Sequence, residues 1–395
     1  MSDQNRIVLK PKKEVSLHRR HPWIFSGAMQ SKNPAIPEGT VVSIYDSENN
    51  FLAKGHYQIG SIAIRVLTFS NEEIDQAFWT MRIRSAYEMR KTTGLANSTD
   101  TNVFRLVHGE GDELPGLIID FYNGTAVTQF HSIGMFLARN EIVNALKEVL
   151  GDKLHAVYDK SSQTMPFKAA VKADDGYLFG QQSQTEVMEH GNRFVIDWEE
   201  GQKTGFFIDQ RENRALVQQY SKGRTVLNMF GYTGGFSVYA LRGDAALVHT
   251  VDVSKKAVDL ADRNIELNFA GTSKHKSFDE DVFDFLGKME TTYDLIVLDP
   301  PAFAKHNEAL HNALQAYKRI NAKAIRQISK GGILFTFSCS QVVSRDDFRR
   351  SVFAAAAQCK RKVSILHQLT QPCDHPVSIF HPEGEYLKGL VLYIE

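Results

Sequence analysis

Several absences narrow this chain before any motif is read. No run approaches the roughly 18 apolar residues of a membrane-spanning helix, so the sequence predicts no membrane partner. The start, Met1 to Glu14, is polar and lacks the apolar core of a signal peptide. Three cysteines in 395 residues do not build a disulfide framework, and the spacing of Cys339, Cys359 and Cys373 is not a zinc pattern. These absences predict a cytoplasmic protein without a metal. Net charge is lacking too, with 46 Lys and Arg against 46 Asp and Glu. That excludes a surface coated with positive charge but not a local basic face. The first thirty residues carry Arg6, Lys10, Lys12, Lys13, Arg19 and Arg20 against only Asp3 and Glu14. A charge run is usually a solvated surface, so charge alone leaves nucleic-acid binding open.

What is present suggests two or three domains, given the length. In the first seventy residues, short apolar runs (Val41 to Tyr45, Phe51 to His56, Ile62 to Phe69) alternate with turn residues such as Asn33-Pro34, Pro37-Glu38-Gly39 and Glu48-Asn49-Asn50. That pattern predicts a small β-barrel. A helix follows over about Asp75 to Lys91. A second, α+β unit has strands near Val103 to Val107, Leu117 to Asp120 and Thr125 to Phe130, then a helix near Gly134 to Leu150. From Arg193 onward strands alternate with helices. The strands are expected at 225–229, 246–251, 293–298 and 332–337, and the helices at 210–220, 254–269, 310–329 and 345–359. A last strand is expected at 389–394. Such alternation implies crossover units and a parallel, doubly wound sheet covered on both faces. The expected domains are therefore 1–72, 73–190 and 191–395.

Four short strings stand where apolar, β-rich runs stop: Asn228 to Phe236, Val251 to Ser254, Leu298 to Phe303 and Thr336 to Ser340. In an open parallel sheet, ligands bind outside the carboxyl ends of the strands. In the first string Gly231, Gly234 and Gly235 allow a tight turn and a close approach to a ligand. The spacing is not G-x-G-x-x-G, which argues against a dinucleotide. About twenty residues on, Asp252 can accept two hydrogen bonds from a ribose diol; the bland alternative is a cap on the following helix. Asp281 with Val282 and Phe283 can grip an adenine amine and ring, or Asp281 simply caps a helix. The segment from Gly201 to Arg211 reads either as a lid, with Lys203 or Arg211 near a cofactor carboxylate, or as a helix entry capped by Asp209.

The other two strings carry reactive groups. In Asp299-Pro300-Pro301 two prolines stiffen the strand end and present a carboxylate that can hold an amine or ring N–H of a base. Cys339 follows a strong buried-strand pattern and is flanked by Ser338 and Ser340. A free cysteine is more often a small buried hydrophobe than a nucleophile. Its place just past a strand end, in the layer of Asp299, points the other way. Cys359 lies in an Ala-rich helix and reads as packing; Cys373 stays undecided.

Together these strings, in this order, resemble the bacterial large-subunit rRNA cytosine-C5 methyltransferases. The match lies in Gln202-Lys203-Thr204-Gly205, Asn228-x-Phe230-x-Tyr232-Thr233-Gly234-Gly235-Phe236, Asp299-Pro300-Pro301-x-Phe303 and Thr336-Phe337-Ser338-Cys339-Ser340. Arg20-His21-Pro22-Trp23-Ile24-Phe25 looks like the start of their PUA domain, and Asp374-His375-Pro376 and Glu385 to Gly389 like their C-terminal signature. The resemblance implies a PUA-like RNA-binding barrel, an α+β middle domain and a Rossmann-like class I methyltransferase domain. It implies S-adenosylmethionine as cofactor, bound by Lys203, Phe230, Tyr232, Thr233, Gly234, Asp252, Asp281, Val282 and Asp299. Cys339 would be the nucleophile and Asp299 the acid holding the base. Pro300, Pro301 and Phe303 would line the base, and Arg19 and Arg20 would grip the RNA. Large-subunit rRNA would be the partner, and the protein a monomer or homodimer. Related RNA 5-methylcytosine enzymes often place a second Cys where this chain has Ala302. Two other functions stay open: methylation of an exocyclic amine, and a non-catalytic ribosome-assembly RNA-binding protein.

Overall fold

The structure, a computed structural model, describes residues 5–30, 36–166, 172–182 and 186–395. The expected turn at Asn33-Pro34 and residues 1–4 of the polar start lie outside them. The chain divides into two units. One comprises Met1–Met188, Ile196–Ile208 and Cys373–Gly384, the other Glu189–Val195, Asp209–Pro372 and Glu385–Glu395.

In the first unit, β1 (Arg6–Val8), β2 (Trp23–Phe25), β3 (Val41–Tyr45), β4 (Phe51–Tyr57) and β5 (Ile62–Thr68) form one sheet, with α1 (Val15–His18) between β1 and β2. Its order is β1-β3-β4-β5-β2. Side chains alternate across each strand, so Val42 and Ile44 of β3 are fully buried while their neighbours are half-buried. The two edges are joined: Leu9 bridges Met29, with Lys10 N donating to Ala28 O and Gln30 N to Val8 O, both at 2.9 Å. That closure gives the small barrel its interior of Ile7, Leu9, Ile24, Met29, Ile44 and Ile64.

Next comes α2 (Gln76–Thr92), which starts where the Asp75 carboxylate accepts from Phe78 N at 3.0 Å. The second sheet has β6 (Val103–His108), β7 (Leu117–Tyr122), β8 (Thr125–Phe130), β9 (Ala156–Asp159) and β10 (Gly176–Gly180), ordered β10-β9-β8-β7-β6. The single helix expected over 134–150 is two, α3 (Ile133–Leu137) and α4 (Arg139–Leu150). Ala138, at φ −83° and ψ 10°, breaks it. The reason is packing at both ends: Gly134 presses so closely on the His56 ring that a Cβ would come within 2.1 Å, while α4 lies along α2. The chain then leaves this unit along β11 (Glu186–Glu189) and enters the next with β12 (Asn192–Val195).

The second unit is the doubly wound α/β layer. Its strands are β13 (Thr225–Met229), β14 (Leu247–Asp252), β15 (His275–Asp279), β16 (Leu295–Leu298), β17 (Gly332–Ser338), β18 (Val363–Leu369) and β19 (Lys388–Ile394). They lie in the order β15-β14-β13-β16-β17-β19-β18. The first five run parallel and β19 runs antiparallel to both neighbours. Every residue of β16 and β17 is buried, as expected for parallel strands covered on both faces. The helices are α5 (Arg211–Tyr220), α6 (Gly235–Arg242), α7 (Lys255–Asn268), α8 (Val282–Lys288), α9 (Leu310–Gln327) and α10 (Arg345–Cys359). Their buried residues recur at helical spacing, as with Ala257, Val258, Ala261 and Ile265 in α7. From β13 the chain builds outward to β14 and β15, then returns to the other side with β16 and β17. The strand order therefore reverses at β13 and β16, where such sheets bind ligands.

Candidate active site

The glycine turn leaves β13 at this reversal. Asn228 in the strand is buried, and its amide donates to Ser237 Oγ at 2.9 Å. Phe230, Tyr232 and Gly234 then take positive φ values of 59°, 43° and 74°. Non-glycine residues pay steric strain there, and such strain clusters at binding sites. The turn is pressed against its neighbours. A Cβ on Gly231 would lie 2.3 Å from Thr250 Cγ2, and one on Gly234 2.9 Å from Ala261 Cβ. Thr233 is buried, and its carbonyl accepts from Asn264 Nδ2 at 2.9 Å. Gly234 starts α6 without a side-chain cap.

Asp252, half-buried at the end of β14, fastens this turn. One carboxylate oxygen accepts from Tyr232 N at 3.0 Å and the other from Ser254 N at 2.9 Å. The cap of α7 is Ser254, whose Oγ accepts from Ala257 N at 3.3 Å. Each Asp252 oxygen retains a further lone pair, the acceptor set a sugar diol needs. Asp281 is the N-cap of α8, accepting from Phe283 N at 2.8 Å and Asp284 N at 3.1 Å. Val282 beside it is 3% exposed in the core, and Phe283 is half-buried. Arg211, one of two candidates for a carboxylate partner, is buried and lies 3.5 Å from Glu189. Arg214 holds the same Glu189 at 2.9 and 2.7 Å. Asp209 accepts from Tyr386 OH at 2.7 Å, and the residue at the cap of α5 is Gln210.

The reactive strings stand side by side, because β16 and β17 pair with Leu298 opposite Thr336. Asp299 is half-buried and accepts from Gln210 Nε2 at 3.0 Å; Gln210 in turn accepts from Asn213 Nδ2 at 2.6 Å. Pro300 is buried and Pro301 exposed, and Phe303 packs on Tyr317 with ring centroids 4.8 Å apart. Cys339 is half-buried, and its Sγ lies 4.0 Å from the Pro300 carbonyl. Cys359 is packed against the core, its Sγ 3.2 Å from Ala322 O, while Cys373 is exposed.

Lys388 lies in the Glu385 to Gly389 string noted in the sequence, which gave it no role at the site. It opens β19 opposite Ser338, and its Nζ donates to Ser340 O at 2.6 Å. Burial pulls its pKa down to about 8, and attraction to Cys339 acts against that fall. Tyr317 adds a second unforeseen polar group. Its hydroxyl is 3.3 Å from Ser340 Oγ, and burial pushes its pKa up. Neither residue belongs to a strand-end string, so only the folded sheet brings them to the thiol.

The remaining candidates belong to the first unit. Lys203 is exposed at φ 50°, with Nζ 4.6 Å from the Phe207 ring centroid. Beside it Thr204 is buried and donates to Asp120 at 2.6 Å. Arg19 and Arg20 are exposed, and the Arg20 guanidinium lies 5.0 Å from the Phe69 ring centroid. Arg20, Phe69, Arg82 and Phe380 border a cleft of about 280 Å³.

Comparison with known proteins yields a consistent set. The family model of S-adenosylmethionine-dependent methyltransferases matches residues 105–378, and that of a PUA-like domain matches residues 7–69. A protein of Alteromonas mediterranea named ribosomal RNA large subunit methyltransferase I is 38% identical, covering 98% of each chain. One of the same name from an Enterobacter species is 39% identical, covering 97% of this chain and 98% of its own. A Streptococcus mutans methyltransferase of known structure superposes with a TM-score of 0.84 at 23% identity, over 98% of this chain and 99% of its own. At that identity the likeness concerns the fold.

Proposed function

We propose, for a chain that belongs to the family of S-adenosylmethionine-dependent ribosomal RNA large subunit methyltransferases, that the atom methylated is C5 of a cytosine and that Cys339 is the nucleophile. The observation that carries this reading is a half-buried cysteine just past β17, the strand paired with β16, whose own end bears the Asp299 carboxylate and borders the reversal of strand order. C5 of cytosine is not nucleophilic by itself. Addition of the Cys339 thiolate at C6 turns the ring into an enamine-like species whose C5 can attack an electrophile. This splits one hard step into easier ones. Asp299, aimed by Gln210, holds N3 and the exocyclic amine and so stabilises the adduct. C5 would take the methyl group as its bond to the sulfonium sulfur breaks and a neutral thioether leaves; the C5 proton then passes to a base, and the returning electron pair expels the Cys339 thiolate. Ala302 offers no second thiol for that release.

The cofactor, S-adenosylmethionine, supplies a methyl group activated by a sulfonium. The residues present fit it: a crowded glycine turn, an uncapped helix start and a carboxylate with spare lone pairs. Phe230, Tyr232, Thr233 and Gly234 would hold its methionine end, Asp252 the ribose, and Asp281 with Val282 the adenine end. Lys203 is left out of this set, which lies wholly in the second unit. Large-subunit rRNA is the substrate, gripped in part by Arg19 and Arg20 of the PUA-like barrel. Phosphate contacts of that kind fix position without reading sequence.

The test is a pair of RNA reactions. With 5-fluorocytosine RNA, which has no C5 proton to lose, the wild-type protein should form a covalent adduct. Cys339→Ala should form none and should leave rRNA without 5-methylcytosine in bisulfite sequencing. Methyl transfer retained by Cys339→Ala would instead select the exocyclic-amine reaction. In that reaction an aromatic after Asp-Pro-Pro stacks on the base; here Ala302 intervenes, and Phe303 packs on Tyr317.

A further inference from the structure

Three side chains of metal-binding type meet in the first unit. His21 precedes β2, while His381 and Glu383 come from the Cys373–Gly384 segment at the other end of the sequence. His21 Nε2 is 3.5 Å from one Glu383 oxygen, and His381 Nε2 is 3.8 Å from the other. The three ligand atoms all lie within 4.8 Å of one another. Ligands about 2.0–2.2 Å from a tetrahedral Zn²⁺ stand roughly 3.4 Å apart, so each pair of this trio must close by at most about 1.4 Å.

Two further observations set the trio apart from an ordinary surface ion pair. His381 is 3% exposed, and neither of its ring nitrogens has a hydrogen-bond partner. Buried polar groups are nearly always partnered, and an orphan asks for an explanation such as an ion. The ring is also fixed, with Trp23 packed on it at a centroid distance of 4.3 Å and the Trp23 Nε1 donating to Glu110 at 2.8 Å. His21 is anchored at the backbone of Trp23, its Nδ1 lying 3.3 Å from the Trp23 carbonyl and accepting from Trp23 N at 3.2 Å, so that the ring turns Nε2 toward Glu383.

We propose that His21, His381 and Glu383 bind a divalent cation of the Zn²⁺ class, through two imidazole nitrogens and one carboxylate, with the remaining position taken by water. This donor set suits Zn²⁺ better than Mg²⁺ or Ca²⁺, which favour oxygen alone. The ion would pin the C-terminal crossing segment to the approach of β2.

The full chain, dialysed against a chelator, is titrated with Zn²⁺ by calorimetry and with Co²⁺ by visible absorption. One equivalent should bind, Co²⁺ should show the intense bands of a low-symmetry site, and Zn²⁺ should raise the melting temperature. His21→Gln and Glu383→Gln, both on side chains that reach solvent, should each weaken Zn²⁺ binding at least about tenfold, the smaller loss seen even for an outer-sphere partner. They should also abolish the thermal shift. His381→Ala should do the same, and circular dichroism shows whether it still folds. Failure to bind one equivalent overturns the site. So does binding that survives both glutamine variants unchanged, which would mark an adventitious ion only.

Discussion

At the scale of single residues, the proposed site is a thiol, a carboxylate and the groups around them. The placement of Cys339 and Asp299 just past two paired strands was legible because each follows an apolar run, and ligands of such sheets bind at strand ends. Gln210, Tyr317 and Lys388 were not legible. They sit at a helix start, within a helix and at the head of the last strand, and no spacing along the chain relates them to Cys339. Lys388 carries a testable consequence. With its pKa pulled to about 8 it is mostly protonated at neutral pH, and its attraction to Cys339 is mutual. A cation beside a thiol favours the thiolate. Lys388→Met should therefore raise the pH midpoint for alkylation of Cys339 by iodoacetamide, by about one unit. Mass spectrometry of the Cys339 peptide separates this from the exposed Cys373. An unchanged midpoint would leave Lys388 with only a structural bond to Ser340.

At the scale of elements, one strand and one helix were read to the residue. β13 and α10 have the bounds that periodicity gave, 225–229 and 345–359. β18 was missed because Val363–Leu369 is a half-exposed edge strand: Ile365 and Leu366 both face solvent, so no alternation of buried and exposed residues marks it. The role of Asp252 was left open between sugar and cap, since both uses put an acid at a strand end. Folding assigns the cap to Ser254 and the Asp252 carboxylate to the glycine turn. That turn is intolerant of bulk. Gly231→Ala would drive a methyl into Thr250 Cγ2, which belongs to the tightly paired β14. The turn must shift, and affinity for S-adenosylmethionine should fall by at least about tenfold, the factor that 1.4 kcal/mol sets. Calorimetric titration of the variant measures it, and an unaltered affinity would detach this turn from the cofactor.

At the scale of the molecule, a chain with no net charge still exposes Arg19 and Arg20, the proposed grip on RNA. Arg19→Ala and Arg20→Ala should each weaken rRNA binding without changing which nucleotide is methylated. Each should also lower the dependence of log affinity on log salt by about one unit, read from filter binding at several salt concentrations; an unchanged slope would remove that arginine from the interface. Buried histidines set the acid limit of the fold. Burial lowers His56 and His275 to a pKa of about 4. The unfolded chain binds protons at these sites from about pH 6.5 downward and the folded chain does not. Stability is thus full above about pH 6.5 and is lost as pH falls toward 4, by on the order of 3 kcal/mol for each group at 1.4 kcal/mol per unit. Melting curves should show this drop, shallower in His275→Asn; equal slopes would reject the assignment. A contiguous reading of the sequence cannot reveal that a late segment, Cys373–Gly384, returns to an early unit.

That return has a consequence for biosynthesis. Buried Arg90, which grips Asp112, also donates to the carbonyl of Asp374 at 2.8 Å, and Asp374 accepts from Arg105 N at 3.0 Å. Farther on, from Lys388, β19 fills the gap between β17 and β18. A ribosome making this protein must therefore emit Asp374 before Arg90 and Arg105 gain that partner, and Lys388–Ile394 before β17 gains its antiparallel neighbour.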